Sequence, residues 1–144
     1  MWSLRKVAMS DIVSILLVHS DEKIREMVFA NAVKLGEIPI ACSSCEEAKS
    51  LLAQHHFKVV FCSDTLSDGE HVEVVRAASP IPVIVLSRFA EWDLYLAALR
   101  AGAFDYIACP PDEAELVRIV SLALRAETQL LNEAEMRLKV SVPA

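Results

Sequence analysis

Short apolar runs alternate along the chain with segments in which apolar residues recur at helical spacing. The runs are bounded by Ser, Asp, His, Gly or Pro, and most of them lack the polar alternation of a half-exposed strand. Continuous apolar runs of this length are typical of strands that are buried on both faces. We therefore predict five strands, at Val13–Val18, Ile38–Cys42, Val59–Cys62, Val83–Leu86 and Phe104–Ala108.

The segments that follow these strands carry helix signals. Asp21 is a favoured N-cap residue, and Gly36 follows the last apolar position of the same segment. Pro110 and Pro111 precede the last helix, whose first turn is acidic. The predicted helices run from the Asp21 cap to about Leu35, and over Ser44–His55, Glu70–Ala78, Ala90–Ala101 and Pro111–Leu138. Five β-α units with buried strands predict a doubly wound, flavodoxin-like α/β/α sandwich around a parallel sheet.

Composition and charge exclude several classes of protein. The 144 residues suit one domain, and an apolar fraction of 54% with three glycines and six prolines is typical of a compact globular protein. No apolar run approaches the ~18 residues of a membrane-spanning helix, and the first residues lack the apolar region of a secretory signal. A net charge of −6 without a Lys/Arg cluster argues against nucleic-acid binding. We expect a cytoplasmic domain that binds a protein partner, and neither nucleic acid nor a membrane.

Cys42 and Cys45 form a C-x-x-C motif. Such a pair can be a redox couple or half of a zinc site, but no second C-x-x-C or H-x-x-x-H motif completes a tetrahedral ligand set. The structural interpretation is that Cys42 ends a strand and Cys45 opens a helix, with both thiols packed as small apolar groups. A cysteine-based redox or metal sensor, using this pair or Cys62 and Cys109, stays open as an alternative.

The fold class itself predicts where a functional site lies. Open α/β sheets bind their ligands beyond the carboxyl ends of the strands, where the strand order reverses. In this chain the polar or reactive residues at those ends are His19, Ser20, Asp21, Ser63, Asp64, Ser87 and Cys109. We expect the site to be built from them.

Four sequence segments, in this order and spacing, carry a resemblance to a known family: ILLVHSDEKIR, TLSDG, PVIVLS and AGAFDYIACP. Over about Val13–Leu124 the chain resembles a response-regulator receiver domain of the CheY-like type. The resemblance implies a five-stranded sheet of order 2-1-3-4-5 and a cis peptide between Cys109 and Pro110. In this family a carboxylate on the third strand accepts a phosphoryl group from a histidine kinase, an acidic pair after strand one helps to hold Mg²⁺, and a lysine precedes the proline.

Most of that machinery is absent when the family pattern is carried over residue by residue. The acidic pair falls on His19 and Ser20, the acceptor on Ser63 and the lysine on Cys109, whereas Ser87 and Tyr106 match the strand-four hydroxyl and the strand-five aromatic. A carboxylate reacts poorly with phosphate unless a hard cation and an ammonium group neutralise the transferring group. We therefore predict a degenerate receiver in two-component signalling that is not an enzyme, has no catalytic residues and needs no cofactor or metal.

Asp64 offers an alternative acceptor, and Mg²⁺ would be required only in that case. If the strand pleat persists through Ser63, Asp64 points away from the pocket that Ser63 faces, so we do not expect it to be phosphorylated. A second alternative is that His19 and Cys109 form an activated thiolate or a zinc site. We favour packing without catalysis over that chemistry.

Two surfaces are candidates for partner contacts. Phe89, Trp92 and Tyr95 are spaced as neighbours on one helix face, so we predict an interface there with Tyr106 as its switch residue; the alternative is that these rings cover their own helix and loop. In receivers this face carries dimer and output contacts.

The last helix would run for about 42 Å, beyond what a small sheet can cover. Val117, Leu124, Leu131 and Leu138 recur every seven residues, although Glu127 interrupts the pattern. We predict a receiver-like domain over 11–125, a tail over 1–10, and a helical extension over 126–144 that dimerises or links to an output domain. The alternative is a helix that docks on its own sheet through Leu116, Ile119, Val120 and Ala123.

Overall fold

A computed structural model describes residues 14–89 and 91–141, and for residues 127, 128, 130, 131, 134 and 138–141 it describes the backbone alone. Several predicted features lie outside the described residues. These are the tail 1–10, Val13 at the start of the first predicted strand and Ala90 at the start of the fourth predicted helix. The side chains of Leu131 and Leu138 also lie outside the described residues.

Within the described residues, five strands alternate with five helices, and one small hairpin lies among them. The strands are β1 Ile15–Val18, β2 Pro39–Cys42, β3 Val59–Ser63, β4 Val83–Ser87 and β5 Asp105–Ala108. The helices are α1 Glu22–Lys34, α2 Cys45–Gln54, α3 His71–Ala78, α4 Trp92–Arg100 and α5 Glu113–Ser141. Thr65–Leu66 and Gly69–Glu70 pair as a two-residue antiparallel hairpin between β3 and α3, which the sequence did not predict.

The five strands form one parallel sheet of order β2-β1-β3-β4-β5, which confirms the predicted architecture. Helices α1 and α5 cover one face, because Val28 and Ala32 of α1 pack in the same cluster as Leu116, Ile119 and Ala123 of α5. Helices α2, α3 and α4 contribute to the cluster on the opposite face. The buried strands therefore lie between two helical layers, as their continuous apolar runs predicted.

Side chains fix several helix starts. The Asp21 carboxylate accepts hydrogen bonds from the backbone N–H groups of Lys23 (2.9 Å) and Ile24 (3.3 Å), which confirms its N-cap role for α1. Helix α5 begins at Glu113 rather than at the predicted Pro111, and Asp112 accepts the backbone N–H of Glu115 at 2.8 Å.

A contact that is distant in sequence fixes the start of α2. The Asp68 carboxylate in the hairpin turn accepts the backbone N–H groups of Cys45 (2.8 Å) and Glu46 (3.0 Å). These bonds hold the pKa of Asp68 below its ordinary value. The hairpin is thereby attached to the helix that precedes β3.

The parallel register brings the carboxyl ends of the strands to one edge of the sheet. Ser63 at the end of β3 is paired with Leu86 of β4, and Ser87 is paired with Ala108 of β5. The peptide bond between Cys109 and Pro110 is cis, as the resemblance implied, and so is the bond between Ser79 and Pro80. Among the described residues, no helix has both the length and the apolar character needed to cross a membrane.

Candidate functional site

A cavity of about 430 Å³ opens at the carboxyl ends of β1, β3, β4 and β5. We call it the strand-end cavity. Six residues that the sequence predicted for the site line it: His19, Ser20, Asp21, Ser63, Asp64 and Cys109. The seventh, Ser87, is buried beside the cavity and is hydrogen bonded to Asp64. The structure therefore brings the predicted site residues together.

The expected direction of Asp64 is wrong. We predicted that its side chain points away from the pocket, but its carboxylate Oδ2 accepts a hydrogen bond of 2.9 Å from the Ser87 hydroxyl. The strand pleat explains the difference. Val60 and Cys62 of β3 lie in the same cluster as Val83 and Val85 of β4, so the next residues of that parity, Asp64 and Ser87, share a face of the sheet.

Ser63, which we had aligned with the acceptor, belongs to the other parity, with Val59 and Phe61. Its side chain is buried, and its hydroxyl makes no hydrogen bond to the part of the chain that the structure describes. Asp64, which directly follows β3, and not Ser63 therefore presents a polar group to the strand-four hydroxyl.

Hydrogen bonds connect Asp64 to the aromatic residue of β5. Ser87 donates to Asp64, and its Oγ accepts the backbone N–H of Phe89 at 3.1 Å. The Tyr106 hydroxyl donates to the Phe89 carbonyl at 2.9 Å, and the Tyr106 side chain is only 8% exposed. The ring of Tyr106 is thus held inward, with Ser87 already at the Asp64 carboxylate.

His19 is a buried, neutral histidine. Its Nδ1 accepts the backbone N–H of Asp21 at 3.0 Å, and Arg25 donates to its backbone carbonyl at 2.6 Å. Burial lowers the pKa of His19, against the raising effect of the Asp21 and Asp64 charges. A buried imidazole whose Nδ1 accepts a backbone hydrogen bond stabilises the β1-α1 loop.

The thiols of the chain do not resemble activated nucleophiles. Burial raises the pKa of the Cys109 thiol, and the nearby Asp21 and Asp64 carboxylates raise it further. Burial also raises the pKa of Cys42 to about 12 and raises that of Cys45, and both thiols are free. A reactive or redox-active cysteine needs a lowered pKa. The raised pKa values therefore favour simple packing of these thiols over both alternatives, the Cys42–Cys45 sensor and the activated Cys109 thiolate.

The strand-end residues do not fit a bound Mg²⁺ ion. Hard cations require several oxygen ligands, but His19 and Ser20 stand where the family has its acidic pair. The carboxylate of Asp21 is already hydrogen bonded to the start of α1, and that of Asp64 to Ser87. Within residues 14–89 and 91–141, no group of three or more His, Cys, Asp or Glu side chains could hold a metal ion.

Arg88 is a site residue that our sequence analysis missed. It is exposed and lines the strand-end cavity with Asp64 and Cys109. Its position directly after Ser87, at the carboxyl end of β4, could have identified it, because ligands of parallel sheets bind at that edge. Arg88 is the basic residue among the described residues that line this cavity.

Comparison with known proteins places this geometry in context. No protein-family model matches the sequence. A CheY-like receiver domain from Methanospirillum hungatei superposes with a TM-score of 0.75 over 82% of this chain and 98% of its own, at 20% identity. NtrX from Brucella abortus superposes with a TM-score of 0.80 over 85% of this chain and 29% of its own, at 19% identity. This chain has the CheY-like receiver fold.

Curated relatives agree with that fold. The response regulator protein PilR of Pseudomonas aeruginosa is 29% identical to this chain over 126 residues, which are 83% of this chain and 28% of PilR. The chain thus spans less than a third of the length of this relative. Similarity in sequence to response regulators therefore accompanies the CheY-like receiver fold of this chain.

The aromatic surface differs from our prediction in two respects, because Phe89 precedes α4, which begins at Trp92, and because Tyr95 is not exposed. Phe89 and Trp92 are exposed, at 53% and 69%, but Tyr95 is half-buried and packs against the core. Trp92 stacks on Tyr95 with ring centroids 5.3 Å apart, and Tyr95 meets Tyr106 edge-on at 6.2 Å. Tyr95 is therefore the link between an exposed ring and the inward Tyr106.

Helix α5 has two parts. Leu116, Ile119, Val120 and Ala123 are buried against the sheet, as predicted. The helix continues to Ser141, so its 29 residues span about 43 Å. Of the predicted heptad positions, Val117 is 37% exposed and Leu124 is half-buried at the edge of the core, whereas the side chains of Leu131 and Leu138 lie outside the described residues.

Proposed function

We propose that this chain is a receiver-like signalling module that acts through contacts with protein partners and does not depend on phosphorylation of its own pocket. The observation that carries the proposal is the direct hydrogen bond from Ser87 to Asp64, together with the inward position of Tyr106. In the family that this chain resembles, the phosphoryl group draws the strand-four hydroxyl toward the acceptor and the aromatic turns inward. In this chain the Ser87 hydroxyl is hydrogen bonded to the Asp64 carboxylate itself, and the Tyr106 hydroxyl is hydrogen bonded to the Phe89 carbonyl.

The charges of the strand-end cavity support the same proposal. Phosphoryl transfer to a carboxylate relies on cations that neutralise the transferring group. Cys109 stands where the family has its lysine, and burial keeps that thiol protonated by raising its pKa. His19 and Ser20 supply no negative charge for a metal ion. We therefore assign no enzymatic activity and no cofactor to the domain.

Intact-protein mass spectrometry after incubation with acetyl phosphate and Mg²⁺ tests this proposal. We expect no stoichiometric adduct on the wild-type chain. The matched control restores the missing charges with His19→Asp, Ser20→Asp and Cys109→Lys, and we expect this variant to accept one phosphoryl group. An adduct that wild type forms and Asp64→Asn does not would overturn the proposal, and absence of an adduct on the restored variant would contradict the charge explanation.

A phosphoacceptor role for Asp64 is the second candidate function. Its side chain lines the strand-end cavity, where a phosphodonor could reach the carboxylate. Arg88 lines the same cavity and could supply part of the missing positive charge. In this candidate Mg²⁺ would be needed, and Arg88→Ala should abolish any phosphate uptake, which the same mass measurement detects.

We also propose that the surplus length of α5 serves dimerisation or links the domain to an output domain. The part of α5 that covers the sheet ends near Ala123, and the helix runs on to Ser141. Sedimentation of the full chain against a chain truncated after Arg125 tests this, because the truncation retains the buried positions of α5. If both chains sediment with the mass of one copy, the extension does not dimerise. A cytoplasmic location and the absence of nucleic-acid or membrane binding remain predictions from composition.

A further inference from the structure

A second cavity, of about 180 Å³, lies between α4 and β5. It is lined by Glu91, Trp92, Tyr95, Tyr106 and Ala108, and we call it the aromatic–acidic cavity. Three of its five lining residues are aromatic and one is a carboxylate. None of the described residues that line it is basic, so its character differs from that of the strand-end cavity, which Arg88 lines.

The aromatic walls are held in place before any partner binds. Tyr106 is buried and its hydroxyl is bonded to the Phe89 carbonyl, and Tyr95 meets Tyr106 at an interplanar angle of 89°. Trp92 stacks on Tyr95 at 15° while 69% of its surface stays exposed. Preformed rings bind a side chain at a lower entropic cost than mobile rings do, and their faces attract cations within about 6 Å.

The charge of the cavity also favours a cation. Glu91 is the N-cap residue of α4, yet its side chain makes no capping hydrogen bond, and it forms no ion pair with the described part of the chain. Asp93 adds a second carboxylate in the first turn. The helix N-terminus opposes them with a partial charge of about +0.5, so the two full negative charges outweigh it.

We propose that the aromatic–acidic cavity binds an arginine side chain of a partner protein, with the guanidinium group against the aromatic rings and paired with Glu91. Arginine fits better than lysine because its planar, weakly hydrated guanidinium stacks on aromatic faces. The inference rests on the proposed function, since it specifies the chemistry of the protein partner that would contact this surface.

NMR titration with acetylarginine amide tests the proposal on the full chain, with the indole N–H signal of Trp92 as the readout. Acetylcitrulline amide is the matched probe, because it has nearly the same shape and no charge, and acetylleucine amide tests a purely apolar occupant. We expect a saturable shift with the arginine probe and at least about fivefold weaker binding of citrulline, since a cation over a ring and beside a carboxylate gains about 1 kcal/mol.

Two variants localise the effect. Glu91→Gln should weaken binding of the arginine probe about two- to fivefold, as expected for an exposed charge pair. Glu22→Gln makes the same change of net charge in the first turn of α1 and should leave binding unchanged. Trp92→Ala removes the indole reporter, so its titration is followed through the backbone amide signals of α4, and we expect it to abolish the binding.

Three results would overturn the proposal. They are equal binding of citrulline and arginine, tighter binding of leucine, and no saturable shift at the solubility limit of the arginine probe. Displacement of a concentration-dependent self-association by the arginine probe would assign the cavity to a second copy of this chain instead. Phosphate uptake by Asp64 would contradict the proposed function and leave this titration unchanged, so the two failures are distinguishable.

Discussion

Replacement of Ser87 by alanine should weaken the fold at the functional site by a measurable amount. The Ser87 side chain is 1% exposed, donates to the Asp64 carboxylate at 2.9 Å and accepts the Phe89 N–H at 3.1 Å. A hydrogen bond to a charged group contributes about 1.5–3 kcal/mol. Asp64 is only half-buried, and water can replace part of this bond, so we expect Ser87→Ala to lower the free energy of unfolding by about 1.5 kcal/mol.

Urea denaturation at neutral pH measures this loss, and Ser63→Ala is the matched control. Ser63 is also a buried serine at a strand end, but its hydroxyl has no partner among the described residues. Ser63→Ala should leave the stability nearly unchanged, because the Ser63 side chain lines the strand-end cavity, where water can hydrate its hydroxyl in place of a protein partner.

A double-mutant cycle then isolates the Asp64–Ser87 bond. Ser87→Ala should cost much less in an Asp64→Ala background, which gives a coupling energy of about 1 kcal/mol. A coupling energy below about 0.3 kcal/mol, the size of ordinary non-additivity, would refute the claim that Asp64 faces Ser87. The alternative would then be an Asp64 side chain that points to solvent.

Three further predictions concern other parts of the fold. Burial lowers the pKa of His19 from its ordinary 6.5, so the imidazole binds a proton more readily in the unfolded chain. The free energy of unfolding should therefore fall as the pH drops below about 6.5. Urea denaturation at several pH values should show a smaller dependence of this free energy on pH for His19→Asn. Burial and nearby carboxylates raise the pKa of the Cys109 thiol. Iodoacetamide should therefore alkylate Cys109 more slowly at neutral pH in the folded chain than in urea, as measured by mass spectrometry. A faster reaction in the folded chain would restore the thiolate alternative. Gly102→Ala should destabilise the domain by more than Gly36→Ala in thermal unfolding. Both residues have positive φ, but only at position 102 would the added Cβ lie 3.2 Å from a neighbouring side chain, that of Val75, which must move. Each substitution should cost about 1–3 kcal/mol, and equal losses would contradict the packing argument.

Local pattern alone predicted the five buried strands and the helices between them. The apolar runs at Ile15–Val18 and Val83–Leu86 are long enough and apolar enough to identify strands covered on both faces. Helix starts such as Asp21 depend on contacts only two or three residues away, so they too were accessible. The set of strand-end residues followed from the class of sheet, because parallel strands end at one edge.

The direction of each site residue depended on contacts between strands. Ser63 and Asp64 are neighbours on opposite faces, and only the pairing of Ser63 with Leu86 shows that Asp64 shares its face with Ser87. A register error of one residue exchanges the two faces, which is why our alignment assigned the pocket position to Ser63.

Long-range contacts decided the remaining features. Tyr95 of α4 is half-buried because it meets Tyr106 of β5. Asp68 accepts hydrogen bonds from the start of α2, more than twenty residues earlier in the chain. Arg88 lines the strand-end cavity from the loop after β4, and the spacing of apolar residues along the chain does not predict the position of a loop side chain. The spacing of apolar residues predicts which helices and strands form, because the interactions that favour them act over a few residues. The hydrogen bonds of the site residues at the strand ends depend on which residues of other strands the sheet brings within hydrogen-bond distance.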